Sequence, residues 1–337
     1  MPTQRQFLYV RAPDGMPDES CFRLVEVPMP EPTEGQVLVE THYLSIDPYF
    51  RRMMGGGHGA YANPLKIGDV MVGRGVGVVV ESRHPDFAPG DAVQSEFGWR
   101  EYVVLDGKGL RKLPADLKPL SLGLGLIGQS GATAMVGLVD IAHIRSSETV
   151  VVSAAAGAVG SAVGQIARIL GCRAIGIAGG PVKCRHVVDD LGFDDCIDYK
   201  TGPIGPALAK AAPQGVDIYF DNVGGEILDA VLPHLNQGAR VPICGQISQY
   251  NTNEASGLRN IGALLNKCAM MQGFRISNHL ARRDEALDQL MAWHREGRLR
   301  HRETVADGIE QAPAAFINML SGGNVGKQVV RLAAAGA

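Results

Sequence analysis

The stretch VVVSAAAGAVGSAVGQIARILG, residues 150–171, decides the fold. It begins with β-branched residues that suit a strand and passes through small residues into a helical pattern. There Val159, Val163, Ile166, Ala167 and Leu170 share one face. The turn Ala155-Ala156-Gly157-Ala158-Val159-Gly160 has GxGxxG spacing with alanine in the first place. Such a turn lets a pyrophosphate approach the backbone at Gly157 and lets the helix lie close to the strand at Gly160. It also aims the first helical amides at the phosphate charge. Bare packing of helix on strand would require the same small residues. The amphipathic helix and a second strand at Arg173–Ala178 favour the dinucleotide.

An NAD site calls for an acidic residue about 20 positions beyond the glycines, at the end of the second strand. Here that place reads IGIAGGPVKCR, with Gly179 and Gly180 where the carboxylate would stand and Lys183 and Arg185 after them. A carboxylate would repel a 2′-phosphate, whereas two glycines leave room and a lysine offers charge. NADP(H) is therefore the expected cofactor. The competing role for Lys183 is an ordinary solvated helix position.

Strand candidates continue at Cys196–Asp198, Val216–Asp221, Arg240–Cys244 and Met270–Ile276, separated by helical stretches such as Glu226–Leu235 and RRDEALDQLMAWHREG. This alternation predicts an α/β fold with a Rossmann-type, doubly wound parallel sheet. The first 125 residues differ. QVLVETHYLSI and VGRGVGVVVES read as strands, the second bent or bulged by its glycines, and DFAPGDAVQSEFGWREYVVL sets a Pro-Gly turn before two more. The expected organisation is a β-rich, barrel-like domain over 1–125, completed by about 305–337, and a dinucleotide domain over 126–304. IEQAPAAFINMLSGGNVGKQVVRL predicts a helix, a glycine turn and a final strand able to close either domain.

Composition narrows the function classes. A 337-residue chain with 45% hydrophobic and 20% charged residues is ordinary globular protein, long enough for two domains. A net charge of −3 gives no support for a nucleic-acid or membrane-surface partner. No uncharged apolar run is long enough to span a bilayer, and no signal-type segment opens the sequence. The six cysteines are scattered without a CxxC pair. They read as free thiols of a cytoplasmic protein rather than a disulfide framework or zinc ribbon.

Four segments together carry a family resemblance: SIDPYFRRMM, AAAGAVGSAVGQIARILGCRAIGIAGGPVKC, GVDIYFDNVGGEILDAVLPHLNQGARVPICGQISQYN and APAAFINMLSGGNVGKQVV. The chain resembles the zinc-independent branch of the medium-chain dehydrogenase/reductases, and within it the NADP-dependent alkenal double-bond reductases and prostaglandin reductases. The resemblance implies a GroES-like barrel domain and a Rossmann domain with the cofactor in the cleft between them. By the same likeness Gly157, Ala158, Val159 and Gly160 meet the pyrophosphate, while Lys183 and Tyr199 take the 2′-phosphate. Asn222 reaches the ribose or nicotinamide side. Cys244, Gly245, Gln246, Ile247, Ser248 and Tyr250 line the nicotinamide end, and Phe274, Arg275, Ile276 and Asn324 close over the cofactor. It also implies a homodimer, built through the sixth strand and the segment 251–268.

No metal is expected. Asp47-Pro48 stands where zinc-dependent members place their first catalytic ligand, no cysteine occurs between Cys21 and Cys172, and His42, His58 and His84 lack partners at ligand spacing. Without a Lewis acid, a conjugated alkene is the easier substrate. Hydride adds to the β-carbon, and the enolate oxygen needs only hydrogen-bond donors. A small enal or enone is thus the expected partner. Tyr49 is the first catalytic candidate and Tyr250 the second, each competing with a packing role. Glycines 55–57 and 59, with His58 and Tyr61, form either a lid or a plain surface loop. Relatives carry a catalytic tyrosine several residues before QGF; in NIGALLNKCAMMQGF that position is Asn266. An amide can donate to an oxyanion but cannot deliver a proton as an acid. The alternatives are an NADPH quinone reductase and an NADPH-binding protein without turnover.

Overall fold

The computed structural model describes residues 2–55, 64–252 and 257–332. The chain divides into two units: Met1–Leu124 with Tyr250–Asn253 and Glu303–Ala337, and Gly125–Gln249 with Glu254–Arg302.

The first unit opens with β1 (Thr3–Tyr9) and β2 (Phe22–Pro28), an antiparallel pair. Next come β3 (Val37–Ser45), the short helix α1 (Phe50–Met53), β4 (Arg74–Ser82), β5 (Ala92–Glu96), β6 (Tyr102–Leu105) and β7 (Arg111–Lys112). Strand β3 organises the sheet. It pairs with β4 along its length, and its other edge takes β6 at Val37–Glu40. The β3–β4 register shifts at two places, so the bent strand expected from the glycines is present. Gly77 is required there, because a Cβ would lie 2.0 Å from the Glu40 carbonyl oxygen. The core of the unit is aromatic. Trp99 is fully buried, with the rings of Phe7, Phe22, Phe50 and Phe316 at 6.0, 5.4, 6.2 and 6.1 Å.

The second unit begins with α2 (Gln129–Val136) and then alternates strand and helix: β8 (Thr149–Ser153), α3 (Ala158–Ile169), β9 (Arg173–Ala178), α4 (Pro181–Arg185), β10 (Asp195–Asp198), α5 (Ile204–Ala211), β11 (Val216–Phe220), α6 (Gly225–Val231), β12 (Leu235–Ile243), α7 (Gly262–Asn266), β13 (Met270–Gly273) and α8 (Leu280–Arg295). Among the described residues the sheet has the order β10-β9-β8-β11-β12-β13, and every pairing is parallel. This is the doubly wound arrangement expected from the alternation, with its topological switch between β8 and β11. Val163, Ile166 and Ala167 of α3 are buried as the periodicity requires.

Several boundaries differ from expectation, and β12, read as Arg240–Cys244, runs Leu235–Ile243. The helix read as Glu226–Leu235 stops at Val231, because Pro233 has no amide to donate and its ring collides with the preceding turn; β12 then starts at Leu235. The strand read as Met270–Ile276 ends at Gly273, where its partner β12 ends at Ile243.

The chain then returns to the first unit through β14 (Glu303–Asp307), α9 (Ala312–Leu320) and β15 (Lys327–Arg331). Strand β15 pairs antiparallel with the second half of β3, Val329 opposite Ser45, and parallel with β14. The expected helix, glycine turn and strand therefore close the first unit. Strand β14 went unread, since Glu303–Asp307 alternates without a buried face.

Candidate functional site

In an open parallel sheet, ligands bind outside the carboxyl ends of the strands at the topological switch. Here that place is where Ser153 ends β8 and Asp221 follows β11.

Strand β8 is buried throughout. After it the chain turns through Ala154, in the left-handed region at φ 51°, and the Gly157 amide donates to the Ala154 carbonyl at 2.8 Å. Gly160 serves close packing, because a Cβ would stand 2.3 Å from the Ala154 oxygen. Gly157 is the N-cap of α3, and no side chain caps the helix. The first helical amides have no intrahelical acceptors, and no acidic residue stands in the first turn. Gly160 thus brings helix to strand, and the amides that open α3 carry no side-chain cap.

At the ends of β9 and β10 the glycines leave space that a tyrosine fills. A Cβ on Gly179 would meet the Tyr199 hydroxyl at 2.8 Å, and Tyr199 is 43% exposed. Gly180, at φ 95°, starts α4, and its amide donates to Asp198 Oδ1 at 2.8 Å; the Lys200 amide donates to the same oxygen at 3.0 Å. Half-buried Lys183 has its ammonium pKa lowered by burial and then by the neighbouring charge of Lys200. An anion beside them would offset that repulsion. Lys200 was missed in the sequence, where it looks like one more loop lysine.

The β11 turn carries Asn222. Its amide donates to Ser153 Oγ at 2.9 Å and its Nδ2 to the Ser153 carbonyl at 2.8 Å. The side chain is therefore oriented with its carbonyl oxygen as the free acceptor end. Loop 244–248 lies on the same turn: the Ser248 amide and hydroxyl donate to the Val223 carbonyl at 3.2 and 2.6 Å, and Ile247 N to Asn222 O at 3.4 Å. A Cβ on Gly224 would meet Gln246 at 3.3 Å. Burial, with the nearby Asp221, pushes the Cys244 thiol up to about 12, so it stays protonated. Phe274 follows β13 and packs edge-on against Phe220 at 6.1 Å; Ile276 is buried and Arg275 exposed.

Asn266 is not brought to this rim. It is exposed at the end of α7, ahead of β13, and the next carbonyl, Lys267, accepts from Gly238 N at 2.7 Å. Gly238 lies well before the carboxyl end of β12, so Asn266 stands toward the opposite edge of the sheet. An offset counted from QGF records spacing but not the direction in which the helix enters the strand.

In the first unit, Tyr49 lies in the turn between β3 and α1, its ring 4.7 Å from Phe50 and packed on the aromatic core. Tyr250 is buried and lies near α1, with the Arg52 guanidinium 5.7 Å from its ring centroid. Buried Arg51 donates to the Gly15 and Gly55 carbonyls at 3.0 and 2.8 Å. Neither arginine was singled out in the sequence. Asp47 is held by the Lys327 ammonium at 2.7 Å. Asn324 Nδ2 donates to Gly326 O at 2.8 Å, which fixes the turn before β15. The glycine-rich segment 56–61 lies outside the described residues. Among the described residues no three His, Cys, Asp or Glu side chains are grouped to hold a metal ion, and no helix is long and apolar enough to cross a membrane.

Known proteins match this architecture along the whole chain. A family described as the N-terminal domain of oxidoreductase matches residues 5–113, and one described as zinc-binding dehydrogenase matches 158–293. The NADPH-dependent curcumin reductase of Escherichia coli (strain K12) is 44% identical over 335 residues, covering 98% of this chain and 97% of its own. Prostaglandin reductase 1 of Rattus norvegicus is 43% identical over 324 residues, covering 94% and 96%. The crystal structure of CurA from Vibrio vulnificus in complex with NADPH superimposes with a TM-score of 0.92 at 42% identity, covering 98% and 99%.

Proposed function

The chain belongs to the NADP-dependent, zinc-independent branch of the medium-chain dehydrogenase/reductases and is an NADP-dependent oxidoreductase; from that premise we propose that it reduces the carbon–carbon double bond of small α,β-unsaturated aldehydes or ketones. The observation that carries the reading is the rim of the second unit. It offers an amide-lined turn at Gly157–Gly160, a lysine pair at Lys183 and Lys200, and an uncharged loop at Cys244–Ser248. These fit, in that order, the pyrophosphate, the 2′-phosphate and the nicotinamide of one NADPH, with Tyr199, Asn222, Phe274, Arg275, Ile276 and Asn324 as further contacts. Bound NADPH supplies hydride for the β-carbon. The chain stabilises the negative charge that moves onto the carbonyl oxygen, a task that suits a tyrosine hydroxyl, and a proton from solvent at the α-carbon completes the saturated product. Tyr49 is assigned to it, with Tyr250 beside α1 as the second donor. The relatives' names, curcumin reductase and prostaglandin reductase, support reduction as the physiological direction.

The test is absorbance at the nicotinamide band, with NADPH and then NADH, against one enal, one enone, one quinone and one saturated aldehyde. Oxidation of NADPH by the enal or enone, with little response to the saturated aldehyde, is the expected result. Activity on the quinone alone would replace the reading with a quinone reductase, and silence across the panel with NADPH still bound would replace it with a non-catalytic binder.

Lys183→Ala is expected to weaken NADPH about 10- to 100-fold, the worth of a charge-assisted contact, and to leave NADH affinity unchanged. Titration of both cofactors decides it; an equal loss for the two would remove Lys183 from the phosphate site. The protein is further proposed to act in the cytoplasm, since all six cysteines are free, and as a homodimer. Support for the dimer comes from the edge strand β13, beside which Ile261, Leu265 and Met270 are exposed. Light scattering at micromolar concentration should return twice the chain mass, and a monomeric mass would refute it.

A further inference from the structure

Asp221 was not among the site residues read from the sequence, yet its side chain joins several segments of the rim. It is fully buried. Its Oδ1 accepts from Ser153 Oγ at 3.0 Å, from the Tyr219 hydroxyl at 2.8 Å, and from the amides of Val223 and Gly224 at 3.0 Å each. Its Oδ2 accepts from the same Gly224 amide at 3.0 Å. Its main chain binds β12: the amide donates to Pro242 O at 3.0 Å, and the carbonyl accepts from Cys244 N at 2.8 Å and Gly245 N at 3.2 Å. One residue thus ties three strand ends together. Through Ser153 it holds the residue that leads into the Gly157–Gly160 turn. Through its backbone it holds the first residues of loop 244–248, and through Val223 and Gly224 the turn that orients Asn222.

The chemistry of this node is one-sided. Four groups donate to the carboxylate, all of them to Oδ1, and the Gly224 amide is shared with Oδ2, so the node is built around an acceptor. Burial raises the carboxyl pKa, and the two amides and two hydroxyls offset only part of the rise. An asparagine has nearly the same shape but presents an NH₂ where Asp221 presents an oxygen. With its oxygen in the place of Oδ1 the amide sets its NH₂ against the Gly224 amide, and the turn after β11 must shift to avoid it.

We infer that Asp221 is a positioning residue: it sets the spacing between the pyrophosphate turn and the nicotinamide-side loop, so that the whole dinucleotide, and not its adenosine half alone, fits the rim. This rests on the reading that Gly157–Gly160 and Cys244–Ser248 hold the two halves of NADPH. It predicts a split that general loss of stability would not produce. Disturbing the node shifts the loop relative to the turn and weakens a ligand that touches both. A ligand confined to the turn and the Lys183 corner is unaffected.

The experiment compares Asp221→Asn, Ser153→Ala and Tyr219→Phe with wild type. NADPH binding is followed by nicotinamide fluorescence, and binding of adenosine 2′,5′-bisphosphate by calorimetry. Asp221→Asn is expected to weaken NADPH about tenfold or more and to change bisphosphate affinity less than about twofold. Ser153→Ala should show the same split more weakly, and it carries the test if Asp221→Asn does not fold. Tyr219→Phe removes one of several donors and should fall between Ser153→Ala and wild type. Equal weakening of both ligands, or unchanged NADPH binding, would overturn the inference. Failure of the cofactor-site reading itself looks different: wild-type protein would then bind no bisphosphate, or bind NADH as well as NADPH.

Discussion

Lys327→Met should lower the stability of the protein by about 3 kcal/mol, the low end for breaking a buried ion pair, and should shift its urea midpoint accordingly. Lys327 is 5% exposed in its side chain and Asp47 21%. The β15–β3 register puts Val329 opposite Ser45, so two further residues along each strand bring Lys327 opposite Asp47. Its Nζ donates to Asp47 Oδ1 at 2.7 Å and to the Ile46 carbonyl at 2.8 Å, and the Ser45 hydroxyl donates to the other Asp47 oxygen. Methionine matches the length of lysine without its charge or donors. It leaves a largely desolvated carboxylate and a carbonyl without their cation. The double variant Asp47→Asn with Lys327→Met removes the uncompensated charge and should recover a large part of the loss. A shift under about 0.5 kcal/mol for the single variant would mean that solvent already screens the pair. Because Tyr49 follows Asp47 by two residues, the same pair holds the turn on which the proposed donor sits.

Tyr49→Phe is expected to reduce kcat about 10²- to 10³-fold with an enone, the usual loss when one donor to a developing oxyanion is removed. The KM for NADPH should stay within about twofold of wild type, since the substitution removes a group that acts only when charge develops. The ring contact with Phe50 is preserved. A kcat loss below about threefold would make Tyr49 a packing residue of the aromatic core and pass the role to Tyr250. Single-turnover measurement of nicotinamide absorbance separates this chemical step from product release.

What residues 150–171 made legible is local in character. β-Branched runs, 3.6-residue periodicity and glycine spacing are imposed by backbone sterics within a few residues, so strand, turn and helix followed from the sequence. The parallel sheet followed from their alternation. Two glycines in place of an acid at the end of β9 pointed to NADP because charge and size at one position suffice to exclude a carboxylate. Pro233 could have been read the same way, since it ends a helix by its own geometry.

Other features depend on residues that only folding brings together. Lys327 and Asp47 meet because two strands from opposite ends of the chain share a register. Asp221 gathers donors from β8, β11 and the β11 turn, and ties to β12 through its main chain. Lys200 matters only beside Lys183. Asn266 has the right offset from QGF, but the path of the chain leaves it away from the rim. Sequence alone determined the strand, turn and helix of 150–171, the alternation behind the parallel sheet, and the cofactor class, because these rest on short-range sterics and charge. Tertiary structure decided which buried polar groups satisfy one another, because a hydrogen bond or ion pair in a low-dielectric interior depends on ångström-scale distances between segments that sequence spacing does not encode.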